Sequence, residues 1–197
     1  MLDPTSAEPL LGEGTLQVGE RAPRSSRVTR ILWELAHDLA LAALLCYFLI
    51  SFVAQAFRVQ GTSMLPLLHD GERIIVDKLS YRLEPIRRGD VVVFWYPRDP
   101  MVSFIKRIVG LPGETIEINR GVLLIDGQAT REDYITAASR DQASQPPTRV
   151  SPGHYFVMGD HRVSSNDSRN WGEVPQKYIY GRALLRFWPL SKLGAIP

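Results

Sequence analysis

The sequence predicts a mainly β protein, with a single N-terminal transmembrane helix followed by an antiparallel β-sheet or barrel-like domain. Three observations predict it. Leu39 to Phe57 carries no charged residue. From Arg58 onward the apolar residues come in short β-branched and aromatic runs, broken by Gly and Pro. No long 3.6-residue period follows the first apolar stretch.

The elements follow in order. Residues 1–30 are rich in Gly, Ser, Pro and charge, and read as a disordered tail. Within it the acidic residues end at Glu20, and Arg21, Arg24, Arg27 and Arg30 follow. Residues 31–57 are expected to form the transmembrane helix, with Trp33 in an interfacial position. The charge-free run alone would span about 28 Å at ~1.5 Å per residue, close to a bilayer's hydrocarbon thickness. It is too long for the ~7–15-residue apolar region of a cleaved signal peptide, and it starts late. It lacks the polar face of a soluble amphipathic helix. The arginines before it predict a cytoplasmic N-terminus, with the remainder of the chain outside.

Residues 58–197 are expected to form the folded domain. Strands are predicted at residues 72–77, 90–96, 102–109, 115–118, 122–125, 155–158 and 182–188. Pro112-Gly113, Asn119-Arg120-Gly121 and Asp126-Gly127 supply turns between them. Residues 137–152 are polar and proline-bearing, and are predicted to be a loop.

Composition excludes several functions. The 23 basic residues nearly balance the 21 acidic ones, without the basic stripe of a nucleic-acid-binding protein. A single cysteine, Cys46, precludes an intrachain disulfide. The four histidines show no metal-ligand spacing, so neither a metal nor a cofactor is expected.

Two segments carry candidate chemistry. Gly61-Thr62-Ser63-Met64-Leu65-Pro66 presents a serine without the GxSxG elbow. A serine needs a neighbouring base to become a nucleophile. A lysine serves if burial lowers its pKa. In a strand, Val102, Phe104, Lys106 and Ile108 share one face, which would place Lys106 among apolar neighbours. By pattern alone a surface lysine and an ordinary turn remain open.

Five segments taken together resemble type I signal peptidases, the membrane-anchored Ser/Lys proteases. They are the N-terminal apolar helix, the Ser63 segment, Arg88-Gly89-Asp90-Val91-Val92-Val93-Phe94, Lys106-Arg107-Ile108-Val109-Gly110-Leu111-Pro112-Gly113-Glu114, and Met158 to Arg169. They occur in the family's order. The resemblance implies that Ser63 is the nucleophile, Lys106 the general base, and Ser165 the serine that hydrogen-bonds the lysine amine. It implies that Asp167 and Arg169 are a pair bracing that corner. It further implies a bacterial cytoplasmic-membrane location and substrates that are secretory preproteins cut after a small-x-small segment, with the lipid bilayer as partner and no obligate protein partner. Three positions depart from the family pattern. Gly61 lacks the hydroxyl that some members place there to help bind the oxyanion. His161 and Ser164 stand where asparagines are common.

Other readings are a repressor-type self-cleaving Ser/Lys peptidase, a non-enzymatic peptide-binding module, and a calcium loop of Asp160, Asn166 and Asp167. The membrane helix and the absence of a helical N-terminal domain count against the first. The second has no need for both Ser63 and Lys106. The third lacks EF-hand spacing.

Overall fold

A computed structural model describes residues 25–48 and 52–197 of the chain. Helix α1 runs Ser25–Phe48. Its 22 residues Arg27–Phe48 are long and apolar enough to cross a membrane, by length and composition. At ~1.5 Å per residue that stretch measures about 33 Å.

The helix bounds differ from the expected 31–57. Residues 25–30, assigned to the tail, are helical, and residues 1–24 of that tail lie outside the described residues. At the other end, strand β1 (Ala54–Arg58) occupies what was expected to be the helix's last turn. The absence of charge through Ala54-Gln55-Ala56-Phe57 hid the change of element. A half-buried strand can be as uncharged as a membrane span.

Residues from Leu45 onward form a compact unit of their own. After β1 come β2 (Arg73–Asp77), the one-turn helix α2 (Ser80–Leu83), β3 (Val91–Tyr96) and β4 (Asp99–Gly110). Strands β5 (Thr115–Asn119), β6 (Val122–Ile125), β7 (Gln128–Ala129) and β8 (Gln145–Arg149) follow, then β9 (His154–Met158). The one-turn helix α3 (Ser168–Trp171), β10 (Val174–Pro175), β11 (Ile179–Trp188) and β12 (Gly194–Ala195) complete the chain. The larger sheet has the order β1-β2-β11-β3-β4-β9-β10, with β12 added on β11. The smaller has the order β7-β6-β5-β8, and every pairing is antiparallel.

Every predicted strand is present. The segment 137–152, expected to be a loop, contains β8, whose Pro146 and Pro147 masked it. Proline cannot donate to a ladder, so it is tolerated at a sheet edge, and β8 is the edge strand beside β5.

Burial explains the sequence of β3. Val92 and Phe94 enter one apolar cluster with Ile108, Val157 and Trp171. Val91 and Val93 enter another with Val59, Met64, Leu68, Ile74 and Val76. Both faces are covered, so Val91-Val92-Val93-Phe94 is continuously apolar rather than alternating. Burying each such side chain contributes about 1.5–3 kcal/mol. A third cluster joins Val109, Phe156 and Met158 of the larger sheet to Ile116, Ile118 and Leu123 of the smaller. The central strands β3 and β4 are thereby held rigidly, and β4 carries Lys106.

Candidate active site

The Ser63 segment is a tight turn between β1 and β2. Gly61 opens it at φ +85°, a left-handed conformation that favours glycine. Its N–H donates to Asp70 Oδ1 at 2.7 Å. Met64 and Leu68, joined by a Leu68 N–H bond to the Met64 carbonyl at 2.9 Å, are buried in the second cluster. Ser63 is left half-buried at the turn's rim, on a base that cannot swivel.

Lys106 enters from β4. It is 4 % exposed, and its Nζ lies 2.7 Å from Ser63 Oγ. The amine also donates to the Ile105 carbonyl at 3.0 Å and sits 5.3 Å from the centroid of the Phe104 ring. Burial lowers its pKa to about 8, against the opposing pull of Asp167 and Asp160. A buried ammonium loses hydration that these two carboxylates only partly replace. A neutral amine at hydrogen-bond distance from a serine hydroxyl can accept its proton.

Residues 159–169 frame the pair. The backbone N–H of His161 donates to the Ser63 carbonyl at 3.0 Å, and His161 Nδ1 lies 3.2 Å from the Thr62 carbonyl. A carbonyl only accepts, so Nδ1 carries the hydrogen in this arrangement. Gly159 is required by the same approach. A Cβ there would fall far inside van der Waals contact with the Ser63 carbonyl and with Ser165 Oγ.

Asp167 and Arg169 pair side by side, with Nε to Oδ1 at 2.8 Å and Nη2 to Oδ2 at 2.9 Å. Burial alone would raise the Asp167 pKa. The Arg169 hydrogen bonds and charge and the Gly159 N–H (3.0 Å) outweigh it and hold the acid ionised. Asp167 also caps α3 by accepting the Arg169 backbone N–H. Ser165 Oγ is sealed from solvent, and among the described residues it makes no hydrogen bond. The bond expected between it and the lysine amine is therefore not formed here. The amine's contacts go to Ser63 and Ile105.

Residues 32–188 match the family "Signal peptidase, peptidase S26". The chain belongs to the signal peptidase family, peptidase S26. Among its relatives, a probable signal peptidase I-1 of Synechocystis sp. is 42% identical over 165 residues, covering 80% of this chain and 83% of that one. A signal peptidase I of Leptolyngbya laminosa is 40% identical over 173 residues, covering 84% of each. One from Bacillus amyloliquefaciens is 35% identical over 177 residues, covering 85% of this chain and 91% of the relative.

In this signal peptidase family member a groove of about 330 Å³ adjoins Ser63 and Lys106. Its apolar walls are Phe57, Val59, Ile74, Val93 and Ile105, which come from β1, β2, β3, β4 and the link after β1. Sequence reasoning could not name them, because they converge from segments up to about fifty residues apart in the chain. At the oxyanion position, the Gly61 N–H is already committed to Asp70. Among the described residues no acceptor takes the Ser63 N–H, which stays available to a ligand.

A second missed feature is Arg107. Its guanidinium is buried and grips Asp160 through two bonds of 2.9 and 2.8 Å, and the Tyr134 ring lies 4.2 Å away. Arg162, also buried, pairs with Glu132 and donates to the Gly159 carbonyl at 3.1 Å. These pairs counter the calcium reading, since guanidinium groups occupy the carboxylates of Asp160 and Asp167. A partial cue was present in the sequence: an arginine at the head of the apolar run Ile108-Val109 calls for an acidic partner, without saying which.

Proposed function

We propose that this chain is a membrane-anchored endopeptidase that removes signal peptides from exported preproteins, with Ser63 as nucleophile and Lys106 as general base. One observation carries the reading: a buried lysine amine, shifted to about 8, lies 2.7 Å from a serine hydroxyl at the end of an apolar groove. Membership of the signal peptidase family supports the substrate class.

The chemistry follows from the geometry. Ser63 Oγ attacks the scissile carbonyl carbon while its proton passes to the Lys106 lone pair. The Ser63 N–H donates to the oxygen that gains charge. As the C–N bond breaks, the Lys106 ammonium returns the proton to the leaving amine, the new N-terminus of the mature chain. Water then attacks the acyl-enzyme, Lys106 again takes the proton, and Ser63 is restored.

A preprotein bound as an extended strand turns residues −1 and −3 to the same side. The apolar walls then favour small side chains at both positions. Helix α1 supplies the anchor, with the N-terminus on the cytoplasmic side of the cytoplasmic membrane and the site outside. Asp167, Arg169 and Ser165 serve as support for the dyad.

The test is incubation of the detergent-purified protein with a preprotein carrying a small-x-small site. The reading predicts one cut, at that site, which Ser63→Ala abolishes. A cut that persists in Ser63→Ala, or no cut with the folded parent protein, would refute it.

A further inference from the structure

Beyond the groove at the dyad lies a second one, of about 520 Å³. The two share Phe57 and Ser103. The second is lined further by Tyr81, Trp95 and Tyr180, with Lys78 and Arg82 adding positive charge. Its rings are packed together: Trp95 and Tyr180 have centroids 5.1 Å apart, and Phe57 and Tyr180 6.0 Å. The Tyr180 hydroxyl donates to Ser103 Oγ at 2.9 Å, which fixes the tyrosine beside the shared serine.

Ser63 and Lys106 mark the scissile bond, and Phe57 and Ser103 line the same groove. From Lys106 back to Ser103, β4 advances three residues, or about 10 Å at ~3.3 Å per residue. For a peptide laid parallel to β4, which advances at the same rate, Ser103 faces the fourth residue or so before the bond. The second groove begins there.

We infer that this second groove is an extended substrate subsite, taking a large apolar or aromatic side chain of the preprotein at one of positions −4 to −6. This rests on the peptidase reading above and deepens it. Continuity with the first groove through Phe57 and Ser103 favours the preprotein as occupant. The aromatic lining suits an apolar side chain. Lys78 and Arg82 disfavour a basic one. Specificity is then not confined to −1 and −3: the small pockets choose the bond, and the aromatic groove ranks the preproteins.

The experiment uses the detergent-solubilised full chain and peptides with an unvarying small-x-small site. Positions −4, −5 and −6 are each set in turn to Gly, Leu or Lys. At one of them Leu should exceed Gly in kcat/KM by about fivefold, mainly through KM, with Lys below Gly. In Trp95→Ala, a substitution at a partly exposed side chain, the Leu-to-Gly ratio should fall toward one. Equal rates for all residues at all three positions, with cleavage still abolished by Ser63→Ala, would overturn the subsite and leave the peptidase reading standing. No Ser63-dependent cleavage of any peptide would overturn the reading itself. A Trp95→Ala enzyme that keeps the ratio but loses its response to added phospholipid would make the groove a lipid contact, and would also overturn the subsite.

Discussion

The backbone N–H of His161 donates to the carbonyl of Ser63 at 3.0 Å, joining two segments 98 residues apart in the chain (161 − 63). The His161 ring reinforces the joint at Thr62. The Ser63 turn is thus held by the segment that also carries Ser165, Asp167 and Arg169. His161→Ala removes the side-chain bond and keeps the backbone one. We expect kcat to fall about tenfold with KM little changed, since the ring touches the turn and not the groove. His161→Asn should recover most of the loss, because an amide N–H can reach the same carbonyl. Steady-state kinetics of the two variants provide the check; equal loss in both would assign the ring a packing role only.

Gly159→Ala should be more damaging than its size suggests. The added methyl meets the Ser63 carbonyl, a backbone atom that cannot rotate away. We expect a stability loss of about 1–3 kcal/mol and a larger proportional loss of activity, because relief of the clash displaces Ser63. Thermal unfolding and turnover of one preparation measure both. Full activity would show that the turn has slack.

Lys106→Arg and Lys106→Met should each lower kcat by roughly 10⁴–10⁶-fold, since neither side chain can accept the serine proton at working pH. Their stabilities should differ from the parent in a pH-dependent way. With the folded pKa of Lys106 at about 8 and the usual value of 10.5, the unfolded chain binds more protons between those values. Stability contributed at this position therefore rises with pH across that window. Lys106→Met should be more stable than the parent at pH 7, and the gain should shrink as pH approaches ~10.5. Melting curves at several pH values decide it.

A flexible insertion between α1 and β1 should leave the domain folded and active on a soluble peptide, while processing of membrane-embedded preprotein falls. The anchor confines enzyme and scissile bond to one surface, and slack lowers their effective concentration. The insertion belongs before Ala54, because after Phe57 it would break the pairing of β1 with β2. Equal loss on both substrates would point to damage at the site.

Much of the site was legible because its parts are local in sequence. The Ser63 turn, the Lys106 strand and residues 158–169 are each a contiguous run, and β-branched runs between glycine turns marked the strands. What escaped depended on partners distant in the chain. Strand β1 read as membrane helix because its identity comes from pairing with β2. Strand β8 was hidden by two prolines that only an edge position permits. The Arg107–Asp160 pair spans 53 residues, so the strand can call for an acid but nothing local says which one. The groove walls come from β1, β2, β3 and β4, which only the sheet order brings together. Ser165 shows a different gap: its motif was visible, but the hydrogen bond expected of it is not made.

The central claim is that Lys106 acts as a neutral amine, and the pH dependence of single-turnover cleavage tests it most directly. With enzyme in excess over a peptide that keeps chemistry limiting, the rate should rise as Lys106 deprotonates and level off above a midpoint near about 8. A rate flat from about pH 6 to 10, in a folded enzyme still dependent on Ser63, would contradict the account.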